Sequence, residues 1–188
     1  MLQFSCLIQL GTIKMMILTK EETLPIFQIT FLALKDILDK AVSFSKSRNI
    51  DETIILQYRL APDMLPFIRQ IQIATDLPIN GLSRLAGADP IRKDDNEKCM
   101  DQLKERIDDT LKHIELLDFN KITASKDIKI NFQLGATNQG TMKGDEYFKY
   151  FIIPNFYFHA AMAYAILRHC GVELGKSDFL GGIPINMS

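Results

Sequence analysis

The stretch PNFYFHAAMAYAILRHCGV, Pro154 to Val172, decides the fold. It reads as the second half of a long amphipathic helix that opens at Gly144-Asp145, with Asp145 as its cap, and stops before Gly171, a good left-handed terminator. Arg168 and His169 fall in its last turn, where positive charge suits the helix dipole. At 100° per residue, Phe148, Ile152, Asn155, His159, Met162 and Ile166 fall within about a quarter-turn. An amide and an imidazole thus occupy the face that should be most apolar.

Moving toward the N-terminus, the period changes from helical to alternating. In DIKINFQL, Ile128, Ile130, Phe132 and Leu134 alternate with Lys129, Asn131 and Gln133, the pattern of a half-buried strand. GATNQG turns the chain and a partner strand reaches about Lys143, so a β-hairpin precedes the last helix. Before it, Met100, Leu103, Ile107, Thr110, Ile114 and Leu117 keep a three-four alternation over a third helix, from Asp94 or Asp95 to about Leu117. A second helix runs from about Met64 to Ala86, with Asp63 as cap and a stripe of Leu65, Ile68, Gln72, Thr75, Ile79 and Leu82. A first helix spans Thr19 to Lys46 on Phe27, Phe31, Leu34, Leu38 and Ala41. The expectation is an all-α protein: an antiparallel four-helix bundle with a small β-hairpin between helices three and four.

Composition narrows the function classes. In 188 residues, 47% apolar and 24% charged residues with a net charge of −1 describe one ordinary globular domain. The cations are spread along the chain, which argues against a nucleic-acid-binding surface. Cys6, Cys99 and Cys170 form an odd set without metal or redox spacing, as in a reduced, cytoplasmic protein. Residues 1–14 read as a disordered extension or an overlong start, and 15–188 as the domain. The N-terminal apolar run lacks a signal peptide's flanks and is too short to span a bilayer, so no membrane partner is expected.

The polar residues inside the stripes are the candidate site. Burying an amide or imidazole unpaired costs roughly 1–3 kcal/mol, so Asn155 and His159 need partners. Gln72, on the shoulder of the helix-two arc, is the first candidate; Gln70, on the opposite shoulder, is the weaker one. Asp76 projects away from that arc. Two readings stand side by side: a hydrogen-bonded core pair that fixes helix register, and a ligand or metal site at the centre of a bundle. Tyr157 and Tyr164 flank the same face, as packing under the hairpin or as part of a homodimer contact.

These residues also carry a resemblance. The last helix resembles that of the DinB/YfiT-like superfamily, whose signature is a His-x-x-x-His-Arg-Gly-Gln run followed by Leu-Arg-x-x-Gly. Laid on FHAAMAYAILRHCGV, the pattern puts His159 on the second His, and Arg168 and Gly171 match without a gap. RLAPDMLPFIRQIQIATD, RLAGADP, DNEKCMDQL and LGKSDFLG are similar to an uncharacterised subfamily, a domain of unknown function, over about Leu18 to Gly181. The resemblance implies a four-helix bundle, often with a divalent metal on three His, one from helix two and two from helix four. It also implies relatives that are thiol-dependent transferases or hydrolases.

This sequence departs from that pattern. Asn155 stands for the first helix-four His, Ala160-Ala161-Met162 for Arg-Gly-Gln, and Gln72 or Gln70 for the helix-two His. Amide oxygens are poor zinc or nickel ligands. The expectation is therefore a small-ligand site built from His159, Asn155 and Gln72, with the metal site degraded. The alternative is a zinc- or nickel-dependent transferase or hydrolase with His159 as ligand; a structural, dimerising bundle is the third reading. No catalytic residue is assigned, because His159 can serve as a base but no nucleophile stands beside it.

Overall fold

A computed structural model describes residues 18–135 and 137–183; the reading of residues 1–14, and Cys6 with it, lies outside them. The chain is mostly helical with one small antiparallel sheet. Helix α1, Lys20–Arg48, starts at Thr19, whose hydroxyl accepts from Glu22 N at 3.3 Å, and ends at Asn49, in the left-handed region at φ 53°. Its buried face contains the expected Phe27, Phe31, Leu34, Leu38 and Ala41. A short helix α2, Glu52–Leu56, is capped by Asp51.

Two helices start later than their apparent caps. Helix α3, Phe67–Leu85, begins after Pro66, and Asp63 lies in the preceding turn. A residue before proline disfavours the helical region, so Leu65 blocks an earlier start. Helix α4, Met100–Glu115, begins after Cys99 rather than at Asp94 or Asp95. The Asp95 carboxylate and the Asp94 carbonyl are engaged by arginines, as described below, and the chain around them is an irregular connector. Helix α5, Phe119–Ala124, capped by Asp118, was not apparent in the sequence pattern.

The hairpin forms as expected, but of its apolar alternation only Ile130 and Phe132 are buried, while Ile128 and Leu134 are exposed. Strands β1, Lys129–Leu134, and β2, Asn138–Lys143, pair with Ile130 opposite Met142 and Phe132 opposite Gly140. Phe132 packs its ring on Tyr147 and Phe151, at centroid distances of 4.6 and 4.5 Å, which seats the hairpin on the start of the last long helix.

That helix is continuous from Gly144 to His169. It comprises α6, Gly144–Glu146, a π turn, Tyr147–Ile152, and α7, Ile153–His169. The π turn shifts the register. Pro154 has no amide hydrogen, and its ring would crowd the Tyr150 carbonyl in an α turn. The preceding turn widens instead, and Ile153 N–H reaches back five residues to the Phe148 carbonyl. The buried face therefore advances from Ile152 to Phe156, Ala160, Ala163 and Leu167, leaving Asn155 and His159 half-buried on its shoulder. This corrects their placement at its centre.

Helix α3 packs against α4 and α7, and α1 packs against α4, α7 and a last short helix α8, Lys176–Leu180. Phe156 of α7 meets Phe27 and Phe31 of α1 edge-on at 5.0 and 5.2 Å, and Phe27 meets Phe148 at 6.3 Å. Tyr164 packs on Phe179 near α8, not under the hairpin.

Gly144 joins the hairpin to the helix with no room for a side chain. A Cβ there would overlap the Ser125 carbonyl oxygen and stand 2.9 Å from its carbon. Gly144→Ala should lower unfolding stability in urea by about 1–3 kcal/mol, because the obstacle is backbone and cannot rotate away. A variant as stable as the parent would show that this junction yields.

Candidate functional site

Helix α3 carries two glutamines, two residues apart, on different sides of its buried surface. Gln70, 2% exposed, faces α7; its Nε2 donates to the Leu65 carbonyl at 3.0 Å. Its Oε1 lies 2.8 Å from His159 Nδ1. With the amide NH₂ directed to Leu65, the oxygen is an acceptor, so His159 Nδ1 carries the hydrogen and Nε2 keeps its lone pair. Burial holds the His159 pKa below its ordinary value of 6.5, so the ring is neutral at pH 7.

Asn155 stands one turn before His159 and donates its Nδ2 to the Phe151 carbonyl at 2.7 Å. That bond caps a carbonyl at the wide turn and leaves the side-chain oxygen without a donor among the described residues. The site is thus Gln70, His159 and Asn155, with the Phe158 ring edge-on to the imidazole at 5.1 Å.

Gln72 is not part of it, which corrects the expected Gln72–Asn155–His159 cluster. Its Nε2 donates to Glu97 Oε2 at 2.6 Å and its Oε1 accepts from Arg69 at 2.7 Å. The physical reason is angular: two positions along a helix are about 200° of rotation, so Gln70 and Gln72 cannot both face α7.

Gln72 belongs to a second, larger cluster centred on Arg106, whose side chain is 3% exposed. Arg106 donates Nε to Thr75 Oγ1 at 2.8 Å, one Nη to Glu97 at 2.7 Å and to the Asp94 carbonyl at 3.0 Å, and the other to Asp76 at 2.7 Å. Asp95 lies 3.1 Å from the same guanidinium and also pairs with Arg69. All five guanidinium hydrogens thus have acceptors nearby, the condition for a buried arginine. Burial pushes Glu97 up, but hydrogen bonds from Arg106 and Gln72 outweigh it and hold the carboxyl below the usual range. For Asp76 burial wins over Arg106 and the pKa is raised. Asp76, expected to project away from the apolar arc, does so and ends in this cluster. A polar cavity of about 390 Å³ beside it is lined by Lys93, Glu97, Glu105, Arg106 and Asp109, among others.

The Arg106 cluster had a sequence signal. Arg106 sits three residues after Leu103 and four before Thr110, on the flank of the helix-three stripe, where a cation needs acid partners. Asp94, Asp95 and Glu97 were at hand. Cys170 has no reactive setting, since burial pushes its thiol up.

Residues 20–180 match the family model described as Domain of unknown function (DUF1993). The chain belongs to this family. A crystal structure of a DinB family member protein from Shewanella denitrificans is 34% identical, with a TM-score of 0.79, over 91% of this chain and 94% of that one. The DUF1993 chain is thus DinB-like in fold. Among curated proteins, no match was found.

A divalent metal of the kind the DinB resemblance implies does not fit these donors. Among the described residues, no group of three or more His, Cys, Asp or Glu could hold an ion. Gln70 spends its oxygen on His159, and Asp76 and Glu97 are engaged by Arg106, which leaves His159 Nε2 with the Asn155 amide oxygen, a poor zinc or nickel ligand, beside it.

Both clusters give stability predictions. Gln70→Leu and His159→Leu should each cost about 1–3 kcal/mol by orphaning the partner, and the double variant should recover much of the sum. Strictly additive losses in chemical denaturation would contradict the paired geometry. Arg106→Met should cost about 3–5 kcal/mol, because it strands Glu97 and Asp76 without their cation. A loss near zero would mean that the carboxylates reach water unaided.

Proposed function

We propose that the four long helices work as one DinB-like bundle, and that its binding position on the last of them is a metal-free polar seat for a small ligand. His159 and Asn155 line the seat and Gln70 backs it. The single observation that supports this is the Gln70–His159 bond. A glutamine that holds Nδ1–H leaves Nε2 as an oriented, neutral acceptor, the arrangement needed to receive a hydroxyl or protonated amine. The Asn155 oxygen, one turn away, offers a second acceptor for the same ligand.

His159 in this tautomer is also a competent proton acceptor near neutral pH. Binding rather than catalysis is the reading supported, because among the described residues the polar group that bonds His159 is the Gln70 amide, not a nucleophile. A zinc- or nickel-dependent transferase would need His159 Nε2 joined by two further ligands.

The test is a long-range ¹⁵N–¹H spectrum of His159 across a pH series. It should show the Nδ1-protonated tautomer and a midpoint below 6.5. Because the folded pKa is depressed, the histidine's contribution to stability is present above 6.5 and is lost as pH falls through the lower folded value. Small polyols and amines that occupy the seat should shift the same resonances, and Gln70→Leu should abolish the tautomer preference. An Nε2-protonated ring, or near-stoichiometric metal released by His159→Ala in elemental mass spectrometry, would overturn the proposal.

A further inference from the structure

The outward side of the last long helix is a separate feature. Only 33% of its most apolar 18-residue window is buried within the chain, although by length and composition it could cross a membrane. From Pro154 to Leu167 it carries no Asp, Glu, Lys or Arg. Glu146, Tyr150, Pro154, Tyr157 and Phe158, Ala161, Ala165 and Arg168 follow one another at spacings of three and four along this side. Tyr150 is 69% and Phe158 53% exposed, which for rings of this size on a continuous stripe marks an interaction surface.

The ends of the stripe carry opposite charges. Glu146 is exposed and accepts only a long bond from Lys143 N at 3.4 Å; Arg168 is exposed and donates to the Val172 carbonyl at 3.2 Å. Among the described residues neither has an ion-pair partner.

We propose that this stripe is a self-association surface, on which a second copy of the chain packs antiparallel across a twofold axis near Tyr157. In that arrangement Glu146 of each copy meets Arg168 of the other. Tyr150 stands over Ala165 and Pro154 over Ala161, large residues against small ones. A twofold contact requires such a self-complementary patch. The stripe is about 33 Å long at 1.5 Å per residue. With the exposed Leu180 and Ile183 beside Tyr157, it is long enough to host a standard interface of roughly 800 Å² per partner. A lipid surface is the rival occupant, but an interfacial helix favours cations on its polar edge, and this stripe begins with Glu146.

Sedimentation velocity of the purified chain over a concentration series should show a reversible dimer. Ala161→Glu should be monomeric with unchanged circular dichroism and melting temperature. Arg168→Glu and Glu146→Arg should each weaken association by on the order of a hundredfold, through like charges at both ends of the contact. Combining them should restore it, which no folding defect would do. The proposal is overturned by a parent chain that stays monomeric throughout, by a dimer indifferent to Ala161→Glu, or by failure of the double charge swap to restore association. Flotation of a monomeric chain with phosphatidylglycerol vesicles would assign the stripe to lipid and overturn it equally.

Discussion

The constraint on which the rest of the molecule depends is a missing hydrogen. Pro154 has no amide proton to offer the preceding turn, and the helix answers by opening that turn to π geometry at Tyr147–Ile152. Every position after it is rotated relative to a regular α-helix. Phe156 swings under α1, where it locks edge-on between Phe27 and Phe31. Asn155 turns its amide back onto the Phe151 carbonyl, and His159 comes to rest on the side that meets α3. A proline that would cost several kcal/mol in a regular helix interior is tolerated because the distortion lies where a large aromatic and a polar pair use it.

Helix α3 is the other organiser. Its alternate polar positions serve opposite neighbours: Gln70 reaches α7, while Gln72, Thr75 and Asp76 reach the Arg106 cluster of α4 and the connector before it. The connector itself buries little apolar surface. It is held by charge, through Glu97 and the Asp94 carbonyl on Arg106, Asp95 on Arg69 and Lys93 on Thr110. A buried ion cluster of this kind adds little net stability over an apolar core, but its fixed geometry selects one path for an otherwise unstructured loop.

What the sequence revealed follows from what periodicity can carry. The stripes of α1 and α4 and the hairpin alternation are set by nearest-turn burial, so they were legible, as was the resemblance to DinB-like chains. The register of α7 was not, because the 100° rule assumes an unbroken helix and Pro154 was the one residue that denied it. Helix starts failed for a related reason. Pro66 outranked Asp63, and the Asp95 carboxylate and the Asp94 carbonyl were claimed by arginines that only the folded chain brings near. The choice between Gln70 and Gln72 needed the true angular positions of α3 and α7 together, a tertiary quantity. That His159 and Asn155 required partners was deducible from burial cost alone; which partners they took was not.

The proposed polar seat and the proposed self-association stripe lie on one helix, which would couple them. Phe158 is the link: its ring abuts His159 on one side and belongs to the exposed stripe on the other. The Leu65 carbonyl anchors Gln70, which in turn bonds His159. A second copy packed on the stripe would therefore order Phe158 at the mouth of the seat. Linkage is reciprocal: if association changes the affinity of His159 for a ligand, occupancy of the seat changes association by the same factor. The sign is set by the mouth. A mouth closed by the second copy makes ligand and partner compete, whereas a mouth walled by Phe158 and left open makes each favour the other.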